Sequence, residues 1–107
     1  MDYENISPEE AKLRMDSDPS AVVVDVRRPD EFVAGHIPGA VNVPLDEIQD
    51  NDLPESMADK NTPYLIYCRS GVRSVTAAKL LAAQGYRRLA NFGGILDWPY
   101  TVERGSV

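Results

Sequence analysis

Cysteine and long apolar stretches are scarce in this chain. It has a single cysteine, Cys68, among 107 residues, which excludes an intramolecular disulfide and any metal site built from several cysteines. No apolar stretch approaches the roughly 18 residues that a membrane-spanning helix requires. No apolar run follows a positive segment at the N-terminus, as a signal peptide would show. We therefore expect a cytoplasmic protein whose thiol stays reduced.

Positive charge is also in short supply. Lysine and arginine total 11 against 17 aspartates and glutamates, and the formal net charge is −6. Such a field repels polyanions, which argues against nonspecific binding to nucleic acid or to an anionic membrane. Arg69 and Arg73 nevertheless make the surroundings of Cys68 locally basic.

The remaining composition is that of an ordinary globular protein, with 43% hydrophobic and 26% charged residues. The length suits one compact domain and not two. We interpret residues 1–107 as a single domain, with its core at about residues 6–98 and a loosely held tail at 101–107.

Hydrophobic patterns divide the chain into alternating strands and helices. Apolar, largely β-branched runs predict strands at residues 21–26, 40–43, 64–67 and 89–92, the last ended by the glycines at 93–94. Start and stop signals predict helices at residues 8–15, 29–34, 45–51 and 72–84, a helical turn at 95–98, and mostly loop at 50–63. Short buried strands that alternate with helices indicate an α/β fold with a parallel sheet and helices on both faces.

The position of Cys68 in this pattern points to a binding site. It follows a predicted strand and precedes a predicted helix, and ligands of open parallel sheets bind beyond the carboxyl ends of the strands. The first N–H groups of that helix lack helical partners, the helix dipole adds partial positive charge, and Gly71 can turn further N–H groups inward. Lowering a thiol pKa from ~8.5 by about 2 units takes about 2.7 kcal/mol, which a helix terminus and nearby arginines can supply.

Position alone leaves two interpretations of Cys68. A lone cysteine at the end of a buried strand is commonly a small core residue. Arg69, Gly71 and Arg73 favour a functional thiol, because buried arginines need anionic partners and a core-filling cysteine has no use for them.

Several segments resemble the rhodanese-domain sulfurtransferase family. Residues 68–74, Cys-Arg-Ser-Gly-Val-Arg-Ser, resemble the active-site loop of that family. Three segments resemble the N-terminal signature of the family: Asp-Val-Arg at 25–27, Glu-Phe at 31–32 and Gly-His-Ile-Pro-Gly-Ala-Val-Asn-Val-Pro at 35–44. Gly-Gly-Ile at 93–95, with Trp98, resembles its C-terminal signature. The resemblance implies a rhodanese-like α/β fold, with a small parallel sheet of about five strands and helices on both faces.

The resemblance also implies a thiosulfate sulfurtransferase that needs no metal and no cofactor. Cys68 would be the catalytic nucleophile. It would take the sulfane sulfur of thiosulfate, or of a similar small anionic donor, as a persulfide and pass it to cyanide or a thiol, including the thiol of a sulfur-accepting protein. The loop would bind the substrate and stabilise the persulfide anion through Arg69, Ser70, Gly71, Val72, Arg73 and Ser74.

More specific roles are expected for individual residues of the loop. Arg73 is expected to bind the anionic donor or to brace the loop, and Arg69 to be exposed and to steer anions. Ser70 and Ser74 can donate hydrogen bonds to the sulfur or cap the helix. The short segment after Trp98 is expected to leave the site open to bulky acceptors.

Supporting roles are expected for residues outside the loop. Asp25, near the end of a buried strand, is expected to pair with Arg27 or Arg73. His36 is the only histidine, so a Cys–His pair is one interpretation, but its Gly-His-Ile-Pro-Gly context favours a turn-stabilising role. Trp98 is expected in the core.

Two other functions remain open alternatives. Phosphatases and arsenate reductases also hold an oxyanion between a cysteine and an arginine, but phosphatase loops are one residue longer than the four residues between Cys68 and Arg73. The shorter loop suits a persulfide better than a phosphate ester. The second alternative is a dedicated relay module that hands persulfide sulfur to one protein partner and reacts slowly with small acceptors.

Overall fold

The computed structural model describes residues 2–105. Within these residues the chain forms, in order, β1 (Glu4–Asn5), α1 (Pro8–Ser17), β2 (Val22–Asp25), α2 (Pro29–Ala34), β3 (Val41–Asn42), α3 (Leu45–Gln49), β4 (Tyr64–Cys68), α4 (Val72–Ala83) and β5 (Leu89–Gly94). Short 3₁₀ turns at Glu55–Met57 and Ile95–Asp97 complete this part of the chain.

The strands of residues 2–105 form one parallel sheet in the order β1-β5-β4-β2-β3. β4 lies at its centre, and all five of its residues are buried. Such burial on both faces is what a continuous apolar run indicates. The sheet and its flanking helices confirm the predicted α/β fold.

Side chains alternate along β4 and divide the core into two layers. Tyr64, Ile66 and Cys68 belong to the layer that also contains the buried residues of α3 and α4. Leu65 and Tyr67 belong to the other layer, which contains Ala11 of α1. Cys68 therefore lies at the carboxyl end of the central strand, on the face covered by α4.

The start of α1 agrees with the helix-start signals in the sequence, a serine followed by a proline. The Ser7 hydroxyl accepts the Glu10 backbone N–H at 3.0 Å, and Pro8 occupies the first turn. The Glu10 carboxylate accepts a hydrogen bond from the Arg14 side chain at 3.0 Å. The helix runs to Ser17, beyond the predicted end near residue 15.

Two features of the sheet differ from expectation. The glycines at 93–94 do not end the fourth predicted strand, because β5 runs through Gly94, which pairs with Cys68 after a register shift. β1 is not predicted at all. Its two residues are too few to show a hydrophobic pattern, and it exists because Glu4 and Asn5 pair with β5.

The C-terminal segment is held more firmly than expected. His36 and Glu103 exchange backbone hydrogen bonds of 2.8 Å in each direction, and the Gly105 N–H donates to the Val33 carbonyl at 3.0 Å. Residues 103 and 105 of the tail predicted at 101–107 are thus hydrogen-bonded to residues 36 and 33, and residues 106–107 lie outside the described part. Within residues 2–105, no helix combines the length and apolar character needed to cross a membrane.

Candidate functional site

The loop at residues 68–73, called the cysteine loop below, joins the central strand directly to α4. Cys68 ends β4 and Val72 begins α4. Gly71 precedes the helix with a φ of 105°, a left-handed conformation that favours glycine. This turn directs the Gly71 N–H at the Cys68 sulfur, which accepts it at 3.0 Å.

Ser74, on the first turn of α4, completes the surroundings of the sulfur. Its Oγ lies 3.5 Å from the Cys68 Sγ, and it also lies within 3.2 Å of the Gly71 carbonyl and 3.3 Å of the Gly93 carbonyl. The neutral thiol can donate to this hydroxyl, which then donates to a carbonyl. When the thiol ionises, the hydroxyl can rotate and donate to the thiolate instead.

Burial and hydrogen bonding act in opposite directions on the pKa of Cys68. The side chain is only 1% exposed, and this burial raises the pKa. Hydrogen bonds from the Ser74 hydroxyl and from the backbone N–H groups of Ser74, Gly71 and Ser70 lower it, and together they outweigh burial, so that the pKa lies below its ordinary value. The site thus favours the thiolate more than the surroundings of an ordinary cysteine do.

The near-complete burial of Cys68 contradicts one expectation. A short segment after Trp98 is predicted to leave the sulfur open to bulky acceptors, but the thiol is almost fully covered. The sulfur packs in the core layer on the α4 side of the sheet, and the cysteine loop bends back so that the Gly71 N–H donates to it at 3.0 Å. Access by a large acceptor therefore requires the reacting sulfur to be presented into the loop.

The end of β5 packs directly against the backbone of the cysteine loop. A Cβ atom added to Gly94 would overlap the Arg69 carbonyl oxygen and lie 2.6 Å from the Ser70 Cα. The Leu96 N–H donates to the same Arg69 carbonyl at 3.2 Å. Only glycine permits this close approach of two backbones. The glycine pair at 93–94 is the sequence signal for this close approach, although the pattern predicts a strand end there.

Arg73 is held by a carboxylate that the sequence does not assign to the site. Its two terminal nitrogens donate to the two Glu31 oxygens at 2.7 and 3.0 Å. Glu31 also accepts the Arg28 backbone N–H at 3.1 Å and so caps α2. The pKa of Glu31 falls from 4.5 to about 2, chiefly because Arg73 donates hydrogen bonds to its carboxylate. Of the two roles predicted for Arg73, this geometry favours bracing of the loop.

The other loop side chains face outward. Arg69, Ser70 and Val72 are exposed. Among the described residues, Arg69 takes part in none of the ion pairs. Its guanidinium is therefore available to an anion approaching from solvent, in keeping with the predicted steering role.

Asp25 and Arg27 form a buried ion pair. The Arg27 guanidinium donates to Asp25 at 2.7 Å and to the Gly35 carbonyl at 2.6 Å. It also lies 5.7 Å from the Tyr67 ring centroid. Of the two partners predicted for Asp25, the structure brings it together with Arg27. The pair ties the end of β2 to the end of α2 and so fixes the helix that carries Glu31.

His36 supports a turn and the C-terminal segment. Its ring stacks on Phe32 with centroids 3.8 Å apart. Nδ1 lies 2.9 Å from the Phe32 carbonyl oxygen and Nε2 lies 3.2 Å from the Glu103 carboxylate. Both ring nitrogens thus have partners other than Cys68, which favours the predicted turn-stabilising role over a Cys–His pair. Trp98 is buried against Phe92, as expected of a core residue.

Comparisons with known proteins agree with this site. A model of the Rhodanese-like domain family matches residues 7–99. The putative sulfur carrier protein YrkF of Bacillus subtilis is 40% identical over 101 residues, which cover 92% of this chain and 52% of the relative. This chain therefore spans about half the length of YrkF. The thiosulfate sulfurtransferase GlpE of Pseudomonas entomophila is 38% identical over 102 residues, covering 94% of this chain and 88% of GlpE.

A solved structure supports the same assignment. The crystal structure of a rhodanese-like domain protein from Staphylococcus aureus superimposes with a TM-score of 0.81 at 33% sequence identity, covering 96% of this chain and 99% of that chain. Both the fold and the sequence match extend over the cysteine loop and the strands that hold it. The chain therefore belongs to the rhodanese-like family of sulfurtransferases.

Proposed function

We propose that this chain transfers a sulfane sulfur from thiosulfate, or a similar small anionic donor, to cyanide or a thiol through a persulfide on Cys68. The observation that carries the proposal is the set of groups around one buried sulfur: the Gly71 N–H donates to it at 3.0 Å, and the Ser74 hydroxyl lies 3.5 Å away, where it can donate once the thiol is ionised. Such donors stabilise an anion on sulfur in both the free and the loaded enzyme.

The first half-reaction needs only the thiolate and the donor. The Cys68 thiolate attacks the outer sulfur of thiosulfate and forms a new S–S bond. The bond between the two thiosulfate sulfurs breaks, and sulfite leaves with its electron pair. The three negative charges of the reactants are conserved in the products, because the persulfide carries one and sulfite carries two. No metal or organic cofactor is needed, since each step moves an electron pair between sulfur atoms.

The second half-reaction returns the thiolate. Cyanide or an acceptor thiolate attacks the outer sulfur, the bond to the Cys68 Sγ breaks, and the electron pair stays on Sγ. The two half-reactions give ping-pong kinetics. Thiosulfate as donor is supported by the likeness to the thiosulfate sulfurtransferase GlpE.

The two arginines of the cysteine loop have different roles in binding the donor. Arg69 is exposed and has no ion pair among residues 2–105, so it attracts and orients the dianion. Arg73 contributes through the loop shape, because Glu31 already accepts from both of its terminal nitrogens. Ser70, Gly71 and Ser74 supply the N–H groups that face the sulfur.

A relay that hands sulfur to one protein partner is the second candidate. The 1% exposure of Cys68 favours it, because a buried sulfur limits contact with untargeted thiols. The likeness to a putative sulfur carrier protein points the same way. The two functions share the Cys68 persulfide and differ in the acceptor.

Intact-mass analysis tests the proposal. The reduced protein is incubated with thiosulfate, weighed, treated with cyanide and weighed again. We expect the mass of one sulfur atom to appear and then to be removed by cyanide, whereas a sulfinic acid of nearly equal mass would resist cyanide. The Cys68→Ser variant is the control and should gain no sulfur.

The same preparation separates the two candidates. Rapid turnover with cyanide and small thiols supports a general sulfurtransferase. A persulfide that forms but turns over slowly with small acceptors supports the relay. Absence of any cyanide-labile sulfur with thiosulfate or with a polysulfide donor would refute both.

A further inference from the structure

Two large apolar side chains are exposed at the cysteine loop, one within the loop and one in the turn that its backbone contacts. Val72, the first residue of α4, is 74% exposed, and Leu96, in the 3₁₀ turn after β5, is 62% exposed. The Leu96 N–H donates to the Arg69 carbonyl at 3.2 Å, which fixes this turn against the loop. We call Val72 and Leu96 the apolar rim.

Both residues of the apolar rim are joined to the backbone around the sulfur: Val72 follows Gly71, whose N–H donates to the Cys68 Sγ, and the Leu96 N–H donates to the Arg69 carbonyl. The outer sulfur of a persulfide extends about 2 Å from the Cys68 Sγ, and Cys68 itself is only 1% exposed. The attacking sulfur must therefore enter the cysteine loop. The exposed side chains available to groups that flank this sulfur include Arg69, Val72 and Leu96.

We infer that the apolar rim selects the acceptor: a protein thiol flanked by apolar side chains, with a carboxylate nearby that meets Arg69. This inference rests on the proposed persulfide chemistry. Apolar flanks remove the exposed surface of Val72 and Leu96 from water, which a small polar thiol does not do. The charge of Arg69 has no ion-pair partner among residues 2–105 and complements the carboxylate.

The transfer itself is balanced. The acceptor thiolate attacks the outer sulfur and forms a new S–S bond. The bond between that sulfur and the Cys68 Sγ breaks, and its electron pair stays on Sγ. The acceptor leaves as a persulfide anion, so charge and atoms are conserved without a further reactant.

Two synthetic peptides test the inference. Both contain glutamate and a central cysteine, and they differ only in the residues that flank the cysteine, which are leucine in one and serine in the other. The loaded protein is mixed with each peptide, and the rate of sulfur loss is followed by mass. Each rate is divided by the rate of the same protein with cyanide, which is too small to contact the apolar rim.

We expect the leucine peptide to react about five- to tenfold faster than the serine peptide with the unchanged protein. Leu96→Ser should reduce this ratio to about twofold or less, and Leu96→Met should retain it, since methionine offers a similar apolar surface. Leu13→Ser is the matched control, because Leu13 is 65% exposed but lies on α1, and it should leave the ratio unchanged.

The outcomes separate the two proposals. If the protein loads with sulfur and cyanide strips it, but the peptides react equally, the rim inference is wrong and the persulfide chemistry stands. An equal effect of Leu96→Ser and Leu13→Ser on the ratio would also overturn the inference. If no donor loads Cys68, the proposed function and the inference fail together.

Discussion

Replacing Glu31 with glutamine should loosen the cysteine loop without removing any group that touches the sulfur. Arg73 is the largest cause of the fall in the pKa of Glu31 from 4.5 to about 2. At about 1.4 kcal/mol per pKa unit, this shift sets a ceiling of about 3 kcal/mol on the ion pair. Arg73 is 30% exposed, and Arg28 contributes to the shift, so we expect a loss of about 1–2 kcal/mol in the free energy of unfolding.

Urea unfolding at neutral pH measures this loss, with Asp30→Asn as the matched control. Asp30 precedes Glu31 on α2 but pairs with Arg28 on the surface, where both side chains are well exposed. The control should therefore leave the free energy of unfolding nearly unchanged. Glu31→Gln should also lower the kcat of sulfur transfer more than it raises the KM for thiosulfate. Equal stabilities for the two variants would refute the bracing role.

The pH dependence of the same variants gives a second test. The folded-state pKa of Glu31 lies below its unfolded value, so the ion pair stabilises the fold fully above about pH 4.5, and this stabilisation is lost as the pH falls toward 2. The stability difference between the wild type and Glu31→Gln should shrink over that interval. A constant difference would show that the glutamine acts through something other than the lost charge.

Two further variants probe the surroundings of the sulfur. Gly94→Ala places a Cβ atom against the Arg69 carbonyl and should displace the loop, which would abolish persulfide formation and reduce the free energy of unfolding by about 2–3 kcal/mol. Gly35→Ala is its control, because the added Cβ would meet no atom within 4 Å, and equal losses in both would contradict the argument. Ser74→Ala removes a donor to the thiolate and should raise the pKa of Cys68, seen as a shift of the alkylation midpoint to higher pH. An unchanged midpoint would mean that the backbone N–H groups alone hold the charge.

The elements that position the cysteine loop follow from local patterns. The apolar run of β4 requires burial on both faces, and that run occupies the centre of the sheet. The end of α4 is equally local, since Gly85 adopts a φ of 96° immediately after the predicted end of the helix. The sequence predicts the strand β4 and the end of α4 because the physical cause of each lies within a few neighbouring residues.

The contacts that shape the site depend instead on residues far apart in sequence. Glu31 and Arg73 are separated by 42 positions, and no local pattern indicates that the first turn of α2 faces the cysteine loop. The close approach of Gly94 to Arg69 has the same character, because glycine in a strand signals either a break or a close contact. Only the three-dimensional arrangement decides between these two meanings.

The number of donors around Cys68 bears on which anion the loop is built to hold. N–H groups of Ser70, Gly71 and Ser74 and the Ser74 hydroxyl all lower the pKa of one thiol, against the effect of burial. A single thiolate sulfur can be ionised with fewer donors, as reactive cysteines at plain helix termini show. A persulfide spreads its contacts over two sulfur atoms about 2 Å apart. We therefore expect the donors to be shared between the inner and outer sulfur of the loaded enzyme, and Ser74→Ala to shorten the lifetime of the persulfide as well as to raise the pKa of the free thiol.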